Sequence, residues 1–159
     1  MIKTASVTEI KKELSDASPE ELLNLSLRLI KYKKENKELL SYLLFEAHDL
    51  TSYIQNIKKQ MDEDFLQINK ANLYFAKKSL RKILKITNKY IRYTSSKEAE
   101  VELLIYYCSK INASGIKINK STALTNLYNN QIKKIRTVVG TLHDDLQHDY
   151  TKELETLSY

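Results

Sequence analysis

Glycine, proline, cysteine and tryptophan are all scarce in this chain of 159 residues. Gly115 and Gly140 are the two glycines, Pro19 the one proline and Cys108 the one cysteine, and tryptophan is absent. A β-rich fold needs glycine and proline at its turns, so a sandwich or barrel is excluded. A single cysteine cannot form an intramolecular disulfide, which excludes a disulfide-stapled module and fits a reducing, cytoplasmic setting. The first residues, Met1-Ile2-Lys3-Thr4-Ala5-Ser6, contain no apolar core of a secretory signal. No run approaches the ~20 apolar residues of a membrane span; the richest, Leu39 to Ala47, is interrupted by Ser41 and Glu46.

What is present points to helices. Hydrophobic residues make up 42% and charged residues 29%, enough to bury a core. Ser18-Pro19-Glu20-Glu21 is a helix start: a capping serine, a proline suited to the first turn, and an acid placed to complete a capping box. Val7, Ile10 and Leu14 predict a short amphipathic helix before it. After it, Leu22, Leu25 and Leu29 form one apolar row and Leu23, Leu27 and Ile30 a second, which predicts a central helix packed on two sides. Lys33 to Asn36 reads as a link. Leu40, Leu43, Leu44, Ala47, Leu50, Ile54, Ile57 and Met61 then predict about six continuous turns with one buried stripe.

A fourth helix is predicted over Leu73 to Tyr93, and a fifth after Ser95-Ser96, with Val101, Leu104, Ile105, Cys108 and Ile111 buried and Gly115 as a left-handed stop. From Ser121 or Thr122 the apolar register continues to Leu157. Gly140 makes this either one kinked helix or two. The expectation is a single all-α domain over residues 1–159. It holds five to six antiparallel helices in hairpins, as a helical bundle or short α-solenoid.

At an offset of 61 residues, Leu22/Ile83, Leu25/Ile86, Tyr32/Tyr93 and Leu43/Leu104 match in kind, a weak hairpin repeat over about 18–60 and 79–113. This resembles, in architecture alone, the stacked hairpins of α-solenoids such as HEAT-like ones.

Charge is unevenly spread. Net charge is +6, but residues 65–143 hold 15 basic against 3 acidic residues, while residues 1–64 hold 10 against 12 and residues 144–159 hold 1 against 5. On the fourth helix Lys78, Arg81, Lys82, Lys85, Lys89 and Arg92 share the arc opposite the apolar stripe, and no acid lies between Asp64 and Glu98. Six like charges on one face repel, and a solvated face ordinarily mixes signs. The stripe is therefore a candidate polyanion-binding surface, extended by Lys133, Lys134 and Arg136 with Tyr128 nearby. The competing explanation is compositional. Lysine outnumbers arginine 22 to 4, and Lys, Asn, Ile and Tyr share A/T-rich codons. Low arginine also counts against base-specific recognition. An interfacial membrane helix is not expected, because the stripe's other face is committed to the core and Phe75 and Ile86 make no anchor.

Asp144 and His148 lie one helical turn apart and are weak metal-ligand candidates, with His48 or Asp49 as a third donor from a facing helix. No motif with established metal-ligand spacing is present, so no metal or other cofactor is expected. Cys108 falls on a buried register, where a small hydrophobe belongs, and no glycine-rich phosphate loop exists. An enzyme is not expected. The predicted function is a helical scaffold that binds another macromolecule, a protein before a nucleic acid. Sequence-independent nucleic-acid binding along the fourth-helix stripe is the alternative.

Overall fold

A computed structural model describes residues 1–157. Its regular structure is entirely helical, with no strand among the described residues: α1 (Val7–Asp16), α2 (Pro19–Tyr32), α3 (Lys34–Ser41), α4 (Leu50–Leu66), α5 (Leu73–Thr94), α6 (Lys97–Ala113), α7 (Thr122–Val139) and α8 (Asp144–Leu157). Five residues of π-helix (Tyr42–Glu46) follow α3, and a turn of 3₁₀-helix (Ile118–Lys120) precedes α7. None of these helices is long and apolar enough to cross a membrane. The chain divides into two compact units, Met1–Phe45 and a second from Glu46 onward.

The described residues contain eight α-helices where five to six were expected, for two local reasons. The stripe from Leu40 to Met61 is not one helix: α3 ends at Ser41, the π-helical turn follows, and α4 starts afresh at Leu50. Asp49 sets the restart, its carboxylate accepting from the Ser52 backbone N–H at 3.0 Å. A short acidic side chain that satisfies the backbone locally competes with helix continuation. At the other end Gly140 closes α7 with right-handed geometry, the Thr141 and Leu142 amides bond back to Val138 and Val139, and α8 begins at Asp144. The kinked-or-two alternative resolves as two helices.

The other boundaries follow from capping. Ser18 and Glu21 form the expected capping box at α2, and Ser6 with Glu9 forms a second at α1. Asn72 caps α5 by accepting from the Tyr74 and Phe75 amides. Ser95 then adopts φ +50°, reversing the chain, and Ser96 caps α6 through the Ala99 amide at 3.2 Å. Gly115, at φ +77°, is the left-handed residue just past α6.

In the second unit the core is built around α6, which packs against α4, α5, α7 and α8. Val101, Leu104, Ile105, Cys108 and Ile111 are buried as expected, and so are Ala99, Leu103 and Tyr107. Buried residues lie on several sides of α6, with the edge through Glu98, Glu102, Tyr106 and Ser109 left partly open, and a helix packed on several sides carries no single apolar stripe; periodicity therefore did not mark α6 as central. The Tyr107 hydroxyl reaches across to donate to the Leu80 carbonyl at 2.8 Å, and its ring meets Phe65 edge to face at 6.0 Å. A buried phenol needs that acceptor.

The first unit is different in kind. The expectation that α2 is central does not hold. None of α1, α2 or α3 contains a buried residue, and Tyr42 is the one buried side chain of Met1–Phe45. The α2–α3 pair packs as a hairpin joined at Lys33, with the Asn36 side-chain amide donating to the Leu29 carbonyl at 2.8 Å. Three short helices do not supply enough facing surface to cover both leucine rows of α2.

Candidate interaction surfaces

Two surfaces carry the functional argument, one on each unit. On the second unit α5 separates its faces as the sequence pattern requires. Ala76, Leu80, Ile83, Leu84, Thr87 and Ile91 are buried. Lys78, Arg81, Lys82, Lys85 and Arg92 are exposed on the other side, while Lys89 is half-buried with its ammonium over the Tyr90 ring, 5.1 Å from the centroid.

Two of the three acids of α6, Glu100 and Glu102, are engaged with other helices. Glu100 pairs with Lys134 at 2.9 Å and Glu102 with Lys58 at 2.6 Å, so the first turns of α6 face lysines of α7 and α4. Asp62 is held by Lys110 at 2.8 Å and by the Tyr106 hydroxyl at 2.7 Å. Among the described residues no carboxylate pairs with Lys78, Arg81, Lys82, Lys85 or Arg92. Lys82 does share a small cleft, of about 110 Å³, with Asp64 and Ser79.

The stripe ends in a groove of about 580 Å³ where Arg92, Lys97 and Lys134 meet Asn88 and Glu100. Of the expected extension, Lys134 does reach α5, its ammonium donating to the Asn88 side-chain oxygen Oδ1 at 3.4 Å. Tyr128 does not belong to this surface. It is buried, donates to the Leu157 carbonyl at 2.7 Å and accepts from Asn112 at 2.9 Å, so it fastens α7 to α8.

At the opposite end of α5 the structure shows side chains that the sequence pattern did not single out as a site. Tyr74 and Phe75 are exposed, the two rings meet edge to face at 5.5 Å, and the Lys77 ammonium sits 5.7 Å from the Tyr74 centroid. Their signal was present: Tyr74 and Phe75 precede the buried register that Ala76 begins.

The metal and nucleophile candidates are placed as follows. Asp144 and His148 are exposed on the first turns of α8, and Asp49 serves as the cap of α4. Among the described residues no three His, Cys, Asp or Glu side chains converge on one point. Cys108 is fully buried in α6, and burial pushes its thiol up to about 12, far from a reactive thiolate.

On the first unit the surface is apolar. Leu23 and Leu29 are 59% and 60% exposed, and Val7, Ile10, Leu25, Leu43, Leu44 and Phe45 are exposed as well. Sequence periodicity found these leucines but assigned them to a core. Periodicity reports which side chains share a face and not what covers that face.

No family model, no curated protein and no solved structure matches this chain.

Proposed function

We propose that this chain is a non-enzymatic helical scaffold of the cytoplasm that binds another macromolecule, in the first place a protein, through its N-terminal unit. The observation that carries this reading is the contrast between well-capped helices and leucines left open on Met1–Phe45. Capping boxes specify where α1 and α2 begin, so the segment is built to be helical. Exposed large apolar side chains in this number on one small unit mark a surface for partner docking. In the second unit α4, α6 and α8 neighbour one another in turn, with α5 and α7 packed on α6, an order that supports a short solenoid-like platform. Affinity capture with the full chain, beside a Leu23→Glu/Leu29→Glu variant, tests the reading. Proteins held by the first and lost by the second support it; equal recovery by both would sink it.

A second reading is sequence-independent nucleic-acid binding along α5, favoured by the unneutralised Lys78, Arg81, Lys82, Lys85 and Arg92 and by the exposed Tyr74 and Phe75 at their end. Lysines one turn apart follow phosphates, and an exposed ring offers a base a stacking platform. Five neutralised phosphates set a salt slope of about −4.5 on duplex DNA, and Lys82→Glu/Lys85→Glu is expected to reduce its magnitude by about 2. Anisotropy titrations of labelled DNA and RNA at two salt concentrations read both numbers. A flat response to salt rules this reading out.

A further inference from the structure

Leu22, Leu25, Ser26 and Leu29 occupy one arc of α2, spanning about 100° at 100° per residue. Their spacing reads the same in both directions about the midpoint between Leu25 and Ser26. Ser26 is exposed and its hydroxyl donates back to the Leu22 carbonyl at 2.8 Å, so the centre of the row offers a small side chain with its donor already satisfied. Charge reverses about the same midpoint: Glu20 and Glu21 open the helix, Arg28 and Lys31 close it.

We propose, resting on the N-terminal leucines being a docking surface, that their occupant is a second copy of this chain, the two copies pairing through α2 antiparallel about a two-fold axis at Leu25–Ser26. In this pairing Leu22 meets Leu29 of the second copy and Leu25 lies over the second copy's Ser26. Each contact occurs twice, as a self-complementary patch requires. Glu21 lies on the same flank of the row as Arg28, and the antiparallel register brings Glu21 to within about 3 Å along the axis of the second copy's Arg28. Only one oxygen of Glu21, Oε2, is used by the cap at Ser18, and that bond holds the carboxyl below its ordinary range and so ionised. A parallel pairing would set Glu20 and Glu21 beside their own copies.

Charge balance selects the same surface. Residues 1–45 carry 8 basic and 7 acidic groups and do not repel themselves, whereas the 15-against-3 balance of residues 65–143 opposes self-association there. A unit of this size is also too small to close a core alone.

Sedimentation velocity on the full chain is expected to show a dimer at micromolar concentration. Leu25→Glu should weaken it at least ~30-fold while leaving the helical circular dichroism unchanged. Arg28→Glu should weaken it, and adding Glu21→Gln, which keeps the capping box, should restore part of the loss. Ser26→Cys should cross-link to its own copy under mild oxidation, since Cys108 is buried and supplies no competing thiol. A dimer indifferent to Leu25→Glu and Ser26→Cys overturns the pairing. A monomer that binds an apolar-surface dye, with binding lost in Leu23→Glu/Leu29→Glu, also overturns it and leaves the docking surface standing for another protein. A monomer that binds no dye overturns both.

Discussion

The two units start from similar material and end differently. Both are amphipathic helices with leucine and isoleucine at three- and four-residue steps, and both use serine caps. In the second unit α6 is surrounded and Leu103, Leu104, Tyr107 and Cys108 are fully buried; in the first, Tyr42 is the one buried side chain. The lesson is that apolar periodicity builds a surface, and the number and length of neighbouring helices decide whether the surface becomes a core. Four helices of 14 to 22 residues pack around α6; three of 8 to 14 residues build no such centre.

The comparison can be broken at its strongest point first. Leu103→Ala is expected to cost about 2–5 kcal/mol by denaturant unfolding, because neighbours on all sides cannot collapse into the space. Leu44→Ala on the first unit is expected to stay under about 1 kcal/mol. Equal costs would mean that Leu44 belongs to a packed core. Amide exchange sharpens the same contrast: α6 should exchange only through global opening, and α1 to α3 in dilute protein far faster. Uniform protection of both would erase the distinction.

Next in size is Tyr107→Phe, expected to cost about 1 kcal/mol through loss of the bond to the Leu80 carbonyl. Removal of the caps by Ser96→Ala and Ser18→Ala carries a similar cost at each helix, about 1 kcal/mol. Ser96→Ala should lower the cooperative midpoint. Ser18→Ala should instead appear as lost helical signal at the first unit with that midpoint unmoved.

The smallest effect is a pH dependence at Asp62. Partial burial pushes this carboxyl up, but the hydrogen bonds from Lys110 and Tyr106 and the Lys110 charge outweigh it and hold it below its ordinary range. Its contribution is therefore complete above that range and lost as pH falls through the lowered folded value. Asp62→Asn should flatten the acid limb slightly. The neighbouring Tyr106 phenol is raised to about 12, by burial first and then by the bond to Asp62 and its charge. The same Asp62→Asn variant should bring the Tyr106 ionisation down in an ultraviolet titration, and an unmoved titration would mean that the bond is not formed in solution.

Much of the α5 face was legible because one helix carries all the information: a single period separates Leu80, Ile83, Leu84 and Ile91 from Lys78, Arg81, Lys82 and Lys85. What Glu100 and Glu102 do was not legible, since their partners Lys134 and Lys58 are 34 and 44 residues away in the chain. Tyr128 was misplaced for the same reason, its acceptor being the Leu157 carbonyl on another helix. The break at Tyr42–Asp49 was missed because an unbroken apolar register masked a local capping signal at Asp49.

By itself the sequence determined that the chain is helical, where most helices start, and which side chains share a face. Those properties depend on neighbours three to four residues apart and on the near absence of glycine and proline. Tertiary structure alone decided that α6 is central and α2 is open, and that Glu100 and Glu102 turn toward α7 and α4 while, among the described residues, no carboxylate pairs with Lys78, Lys82 or Lys85. Burial and ion pairing are relations between distant segments, and a helical period carries no record of which segment lies opposite.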